Sequence, residues 1–172
     1  MVKALFPGTF DPIHYGHIDI ASRAARLFDE VVMAVYDKPL KSLIFSPEER
    51  MTLVREAFHD NPKINVTGYS GLTIHYARQI NAQVIVRGLR VFSDFEFEFR
   101  MALANQRLAS DIETVALITA EQHTFLSSST VKEIAMLNGD VSSMVPEHVE
   151  RALKIKVAGL DGQSRPPNAL RD

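Results

Sequence analysis

Five short runs of apolar residues along the chain predict β-strands. They cover residues 3–6, 31–35, 64–68, 84–86 and 114–118. Most of these runs are continuous and do not alternate between apolar and polar positions, which is typical of strands covered on both faces. We therefore expect a parallel sheet that is packed on each side.

The segments between these runs have the apolar spacing and the capping signals of helices. Residues 16–28 form the first, and Ser46, Pro47 and Glu49 open the second with a capping box and a proline at the first helical position. Further helices are predicted over residues 72–80, 94–109 and 127–139 and after Pro146. In the fourth helix we expect Phe95 and Phe99 to face the core.

Strands that alternate with helices in this way predict an α/β fold. We expect a single-domain, doubly wound (Rossmann-like) five-stranded parallel sheet with helices on both faces. Residues 1–158 form the predicted domain. Residues 159–172, which are rich in glycine and proline, are predicted to be a mobile C-terminal tail.

Composition narrows the possible chemistry. The 172 residues include no cysteine, which excludes a disulfide scaffold, a thiolate metal site and a cysteine nucleophile. The formal net charge of −2 argues against a nucleic-acid partner. Since no apolar run is long enough to cross a bilayer and no signal peptide is recognisable, we expect a cytoplasmic protein without a membrane partner.

A ligand site in such a sheet is expected at the carboxyl ends of the strands. The segments after the first, second, fourth and fifth strands carry histidines, lysines, arginines, glycines or hydroxyl residues, with few carboxylates among them. They comprise residues 7–17, Lys38 with Lys41, residues 87–90 and residues 123–130. This pattern favours a ligand with several phosphates.

Two histidines flank a glycine at the start of the first helix, in the order His14, Tyr15, Gly16, His17. Because Gly16 has no Cβ, a flat ligand such as a base can lie against the backbone, and His17 can donate a hydrogen bond to a phosphoryl oxygen. The two histidines could instead bind a metal ion, but a third ligand is missing. They could also be surface histidines in a turn that caps the helix.

Two arginines and three serines form the other candidate contacts. Arg87 and Arg90 can fork onto phosphate oxygens, although they could equally be surface arginines paired with Asp94 or Glu96. Residues 127–129 are all serine at a helix start, where they offer hydroxyl groups and amides to an anion or serve only as a cap.

These motifs together resemble a known family. Residues 7–12, PGTFDP, with His14-x-Gly16-His17 resemble the nucleotidyltransferases that carry an HxGH motif. With residues 85–90, 94–96, 127–129 and 131–133 added, the chain resembles bacterial phosphopantetheine adenylyltransferases over about residues 2–157. The resemblance implies transfer of AMP from ATP to 4′-phosphopantetheine with Mg²⁺, giving dephospho-coenzyme A and pyrophosphate, and a homohexamer.

The resemblance also implies roles for individual residues. His17, Lys41 and Arg90 would be catalytic, and the protein would supply no metal ligand because magnesium sits on the phosphates. The expected acceptor contacts are Thr9, Lys41, Thr73 and Arg87. The expected ATP contacts are Thr9, Phe10, His17, Gly88, Leu89, Arg90, Glu98, His123, Thr124, Phe125, Leu126, Ser127, Ser128 and Ser129. The chain departs from the family at His14, where threonine is common, and at His123, where an aromatic residue is frequent.

The implied mechanism is a direct in-line attack by the acceptor phosphate, with no covalent intermediate. Related chemistries remain as alternatives: a nicotinate or nicotinamide mononucleotide as acceptor, or CTP as donor to a phosphoalcohol. Residues 87–90 and the short chain argue against both. A non-catalytic nucleotide sensor could do without His17 or Lys41, and both are present.

Overall fold

The structure, a computed structural model, describes residues 1–38 and 43–161. Lys41, which the sequence assigns to catalysis and to acceptor binding, lies outside the described residues. Most of the predicted tail also lies outside them.

All five predicted strands are present, and they form one parallel sheet in the order β3-β2-β1-β4-β5. Their bounds are β1 Lys3–Gly8, β2 Glu30–Tyr36, β3 Ile64–Tyr69, β4 Val84–Leu89 and β5 Glu113–Ile118. β4 is longer than predicted because its pairing with β5 continues to Leu89, opposite Ile118. Arg87 and Gly88 therefore lie in the paired C-terminal part of β4 and not in a loop after it.

Six helices connect and follow the strands in the described residues. They are α1 Tyr15–Leu27, α2 Pro47–Ala57, α3 Thr73–Gln79, α4 Phe92–Leu108, α5 Ser128–Met136 and α6 Glu147–Asp161, with a short 3₁₀ turn at Glu121–His123. The capping box predicted at α2 is confirmed: Glu49 N–H donates to Ser46 Oγ at 3.2 Å, and Ser46 N–H donates to Glu49 Oε2 at 2.8 Å. α6 continues three residues past the predicted end of the domain.

The sheet has a separate apolar core on each face. Alternate residues of a strand point to opposite faces, so in β1 Ala4 and Phe6 join one core while Leu5 joins the other. The first core packs the sheet against α1, α2, α5 and α6, and the second packs it against α3. The doubly wound α/β architecture is therefore confirmed.

The expectation that Phe95 and Phe99 face the core is wrong. Their exposed fractions are 49% and 52%, and none of the residues of α4, all of which the structure describes, is buried. Asp94 and Glu98 point toward the end of β4, where they pair with arginines. Phe95 directly follows Asp94, and Phe99 directly follows Glu98, so the rotation of the helix from one residue to the next turns both rings away from the end of β4. The two rings stack on each other with centroids 5.8 Å apart.

Candidate active site

A cleft of about 630 Å³ opens at the carboxyl ends of the strands. It brings together most of the predicted site residues from segments far apart in sequence. Its lining includes Thr9, Phe10, His14, Gly16, His17, Thr73, Arg87, Gly88, Arg90, Glu98, Ser127, Ser128 and Ser129. Leu89 and residues 123–126, which were also expected to contact ATP, do not line it.

The segment after β1 is shaped by the ring of Phe10. Phe10 has a positive φ of 50° and is only 2% exposed, and its ring lies directly over Gly8. A Cβ at Gly8 would come within 2.7–3.0 Å of that ring. The ring also meets His17 edge-on, with centroids 5.0 Å apart. Phe10 therefore supports His17, and Gly8 leaves the space that Phe10 needs.

The two histidines of the first loop are stacked on each other and differ in exposure. Their ring centroids are 3.7 Å apart with 22° between the planes. The backbone N–H of His14 donates to Nδ1 of His17 at 3.3 Å, so the neutral His17 ring carries its proton on Nε2. His17 thus has the tautomer of a hydrogen-bond donor at Nε2.

His14 is buried and neutral. Burial lowers its pKa to about 3, and the electrostatic effects of Arg90 and His123 act in the same direction. Its Nδ1 is buried without a hydrogen-bond partner in the described structure. Gly16 lines the cleft as expected, but a Cβ there would meet the His14 ring at 3.0 and 3.1 Å. The missing Cβ therefore also makes room for His14.

Arg87 and Arg90 are each held by a carboxylate of α4. Arg87 donates to Glu98 through Nε and Nη2, at 2.7 and 2.6 Å, and its Nη1 donates to the carbonyl of Pro7 at 3.1 Å. Glu98, expected at ATP, is therefore found beside an arginine expected at the acceptor.

Arg90 has a different set of partners in the cleft. It donates to Asp94 through Nε and Nη2, at 3.0 and 3.2 Å, and its Nη1 donates to the carbonyl of Leu126 at 2.7 Å. Burial alone would raise the pKa of Asp94, but hydrogen bonds and charge from Arg90 outweigh it and hold that pKa below its usual value. The pairing with Asp94 that the sequence left open is real, whereas Glu96 pairs with Arg100.

The serines at the start of α5 have different partners. Ser127 caps the helix, since its Oγ accepts from the backbone N–H of Thr130 at 3.0 Å. Ser128 Oγ donates to the carbonyl of Pro12 at 2.9 Å, and Ser129 is exposed. The capping function is therefore present, and the same hydroxyl groups still line the cleft.

The residues just before these serines do not line the cleft themselves. Leu126 is fully buried in the core, and Phe125 is 59% exposed. The ring of His123 lies beside Tyr15 with centroids 6.3 Å apart, and Thr124 Oγ1 donates to the carbonyl of Glu121. Leu126 meets the site through its carbonyl, which holds Arg90.

Sequence reasoning missed an aromatic end of the cleft. Tyr36 and Tyr69 line it, with ring centroids 5.1 Å apart, together with Leu72 and Thr73. The hydroxyls of Tyr69 and Thr73 lie 3.0 Å apart, within hydrogen-bond distance. Tyr36 and Tyr69 are the last residues of β2 and β3. Their places at the ends of predicted strands were the signal that could have identified them.

No group of three or more histidine, aspartate or glutamate side chains in residues 1–38 and 43–161 is placed to hold a metal ion. No helix within the same residues is both long and apolar enough to cross a membrane.

The site therefore combines arginines, a histidine donor and a serine-rich helix start in one parallel α/β cleft, and this arrangement suits the handling of phosphates. Fold and site together define a nucleotidyltransferase. A family model described as Cytidylyltransferase-like matches residues 5–134. More closely, the chain belongs to the phosphopantetheine adenylyltransferase family, as its relatives show.

The relatives match nearly the whole chain. Phosphopantetheine adenylyltransferase of Roseiflexus sp. (strain RS-1) is 53% identical over 154 residues, which cover 90% of this chain and 96% of the relative. The Gloeobacter violaceus enzyme is 51% identical over 156 residues, covering 91% and 97%. The Methylococcus capsulatus enzyme is 49% identical over 158 residues, covering 92% and 98%.

A solved structure from Vibrio parahaemolyticus, assigned to the nicotinate-nucleotide adenylyltransferases, has the same fold. It superposes with a TM-score of 0.69 over 90% of this chain and 99% of that one, at 20% sequence identity. At that identity the likeness concerns the fold and does not favour a mononucleotide acceptor.

Proposed function

We propose that this protein transfers the adenylyl group of ATP to 4′-phosphopantetheine, forming dephospho-coenzyme A and pyrophosphate in coenzyme A biosynthesis. One observation supports it most directly. Arg87 and Arg90 stand three residues apart, and Arg87 reaches toward Pro7 near the end of β1 while Arg90 reaches toward Leu126 before α5. The cleft therefore has two separate cationic positions, one for an acceptor phosphate and one for the triphosphate.

The aromatic end suits the rest of the acceptor. Tyr36, Tyr69 and Leu72 offer apolar surface on the Arg87 side of the cleft, where an amide-containing arm attached to the phosphate can pack. The serine helix start and Arg90 lie on the other side. ATP and acceptor phosphate are thus expected to meet between them, near His17.

The acceptor needs no general base. A phosphomonoester has a second pKa near 6, so it is already a nucleophilic oxyanion at neutral pH. The protein has only to hold two anions in line and to stabilise the charge that builds up on the transferring phosphoryl group. We therefore propose direct in-line attack without a covalent intermediate.

His17 and Thr9 are proposed to stabilise the transferring phosphoryl group. The proton on His17 Nε2 follows from the hydrogen bond that Nδ1 accepts, and Phe10 and His14 fix the ring plane by contact on its edge and face. A donor fixed before the reaction costs no reorganisation when the charge develops. Arg90 would then stabilise the pyrophosphate that leaves, while Lys41 and Arg87 would hold the attacking phosphate.

Magnesium is proposed to arrive on the phosphates of ATP. The cleft carboxylates Asp94 and Glu98 are both paired with arginines, so this donor set suits an ion carried by the substrate better than one held by the protein. Bound there, the ion would neutralise charge on the phosphate oxygens. Protein purified without a metal-affinity tag should contain no stoichiometric zinc, and finding it by mass spectrometry would contradict this proposal.

We also propose a homohexamer. The helix α4 exposes Phe92, Phe95, Phe97 and Phe99, and exposed aromatic surface of this kind marks an interaction site. Copies of the chain packed through α4 would cover it. Light scattering should give the mass of six chains, and a monodisperse monomer at micromolar concentration would contradict it. The cytoplasmic location and the absence of a nucleic-acid partner stay predictions.

The experiment that tests the reaction offers each acceptor in turn to pure protein with ATP and magnesium. We expect pyrophosphate release with 4′-phosphopantetheine and a product with the mass of dephospho-coenzyme A. CTP in place of ATP should give much slower release. Rapid reaction with nicotinate or nicotinamide mononucleotide, and none with 4′-phosphopantetheine, would show that the assignment is wrong.

A further inference from the structure

A buried ion pair joins two segments of the chain that border the cleft. Lys132 of α5 donates through Nζ to Oδ2 of Asp11, in the segment after β1, at 2.8 Å. The aspartate side chain is 1% exposed and the lysine side chain 15% exposed, so the pair is withdrawn from water. Neither of these two residues lines the cleft. The ammonium group of Lys132 is therefore held by Asp11 and does not face the phosphates.

The ion pair holds the start of α5 against the turn that leads into α1. Ser128 and Lys132 are four residues apart and so lie on one side of α5. Ser128 Oγ donates to the carbonyl of Pro12 at 2.9 Å, beside the contact of Lys132 with Asp11. Two side chains of α5 thus bind two consecutive residues, and from there the chain continues into the first turn of α1, which carries His17.

The segment after β1 has further support of its own. Asp11 also accepts from the backbone N–H groups of Ile44 at 3.1 Å and Phe45 at 2.9 Å. Arg50 of α2, which is fully buried, donates to the carbonyl of Thr9 at 2.7 Å. These contacts would remain if the ion pair were lost. We therefore expect that loss of the pair would displace the start of α5 rather than the segment after β1.

The rest of α5 is held mainly by apolar packing, with Val131 fully buried in the core. Such packing has no preferred direction, so it holds the helix against the sheet without fixing its position along its own axis. A buried ion pair is not needed for stability, since apolar residues of similar volume often replace one without loss. What the pair adds is one fixed distance between Nζ and Oδ2, and with it one position of the helix start.

The position of this helix start matters for the proposed reaction. The serines there and Arg90 are proposed to hold the triphosphate, and His17 is proposed to donate to the transferring phosphoryl group. A misplacement of about 1 Å between reacting groups can cost about 10²-fold in rate. The distance between the start of α5 and His17 therefore sets how well the transferring group meets its donor.

We propose that Lys132 is a positioning residue for adenylyl transfer: through its ion pair with Asp11 it fixes the start of α5, and with it the triphosphate, relative to His17. Lys132 touches no substrate and acts only through the helix that carries it. This inference rests on the proposed function.

The test compares Lys132→Met with Lys154→Met, a matched change at an exposed lysine that pairs with Glu150 in α6. Turnover is measured at saturating ATP and 4′-phosphopantetheine, and ATP affinity is measured by calorimetry. Lys132→Met should lower kcat about tenfold or more. It should weaken ATP binding by a smaller factor, because the flexible triphosphate can follow the helix start. Lys154→Met should match the wild type in both measurements.

The same change in a His17→Ala background separates positioning from a general effect on the fold. Without the imidazole, the placement of the triphosphate relative to that donor no longer matters. Lys132→Met should therefore lower kcat less than about threefold in this background. The same fold-loss of kcat in both backgrounds would overturn the proposal, and so would a loss of ATP affinity as large as the loss of kcat.

A second variant covers the charge that Lys132→Met leaves on Asp11. In Asp11→Asn/Lys132→Met neither buried group is charged, and we expect the same dependence of kcat on His17. Failure of both variants to fold while Lys154→Met folds would overturn the proposal, because Lys132 would then be a structural residue only. The wild-type protein is assayed for dephospho-coenzyme A beside them. Absence of product there contradicts the proposed function, whereas product formation with equal losses in both backgrounds contradicts only this inference.

Discussion

The carboxylate of Glu98 accepts two hydrogen bonds from the guanidinium of Arg87, at 2.6 and 2.7 Å. The glutamate side chain is 13% exposed and the arginine side chain 30% exposed, so the pair is largely withdrawn from water. An arriving phosphate must therefore share Arg87 with a carboxylate that already holds it in place. The pair orients the cation and at the same time weakens its attraction for an anion.

The first prediction concerns this pair. Arg87→Ala should weaken binding of 4′-phosphopantetheine about a hundredfold, because it removes a charged donor and leaves the Glu98 carboxylate unpaired beside the phosphate. Adding Glu98→Gln should recover part of the loss, since the remaining group is neutral. Calorimetric titration of the two single variants and the double variant with 4′-phosphopantetheine measures the coupling free energy between Arg87 and Glu98. Additive losses would show that Glu98 does not act on the acceptor phosphate through Arg87.

The second prediction separates catalysis from binding at His17. Removing one fixed donor to developing charge typically lowers kcat by about 10²–10³, whereas losing one ground-state hydrogen bond costs about 1 kcal/mol in affinity. His17→Ala should therefore lower kcat far more than it weakens ATP binding. His59→Ala, at an exposed histidine, is the control. A fall in kcat of less than about tenfold would make His17 a binding residue only.

The third prediction follows from the neutral state of His14. Its pKa is about 3 in the folded protein against an ordinary value of 6.5, so between these values the unfolded chain binds a proton that the folded chain does not. Stability should therefore fall as the pH falls, by about 2 kcal/mol from pH 7 to pH 5 for this group.

Urea unfolding at both pH values measures that loss. In His14→Thr the replacement can still cap α1 and does not titrate in this range, so the pH-dependent loss should be smaller by about 2 kcal/mol than in the wild type. His59→Thr, at an exposed histidine, should behave as the wild type does. The same pH dependence in all three proteins would show that His14 is not buried in the neutral form.

The sequence predicted the sheet well because its signals are local. Continuous apolar runs and a capping box at Ser46 depend on near neighbours, and the runs place the strands at whose carboxyl ends the cleft opens. The outward position of Phe99 depends on the pairing of the neighbouring Glu98 with Arg87 of β4, a contact between two elements that no helical periodicity contains. Apolar residues lie on two sides of α4, so the periodicity of the sequence could not show which of the two sides faces the core.

The burial of Arg50 could not be predicted from its position in the chain. In sequence it follows two glutamates in the first turns of α2, where an arginine is ordinarily a solvated residue. Its partners are backbone carbonyls, which every residue has, so no residue type marks them. Residues that bind ligands through side chains can be recognised by type and spacing, whereas those that hold backbone segments become visible only in the folded structure.

The fourth prediction tests the contact between Gly8 and Phe10. In Gly8→Ala the new methyl group would meet three atoms of the Phe10 ring at 2.7–3.0 Å, closer than carbon atoms approach each other in a folded protein. The ring cannot turn away easily, because Phe10 is 2% exposed and packs edge-on against Phe6 and His17. Forcing a methyl group into packed space costs about 1–3 kcal/mol of stability.

Because Phe10 supports His17, the displacement should reach catalysis as well as stability. We expect Gly8→Ala to unfold at a lower urea concentration and, under conditions where it is fully folded, to show a kcat at least about tenfold lower, since a misplaced donor loses much of its effect. The matched control is Gly159→Ala in α6, where a Cβ meets nothing within 4 Å and alanine favours the helix by about 0.5–1 kcal/mol. That variant should be as active as the wild type and no less stable. Unchanged turnover in folded Gly8→Ala would mean that the ring of Phe10 can move without disturbing His17, and the support assigned to it would then be wrong.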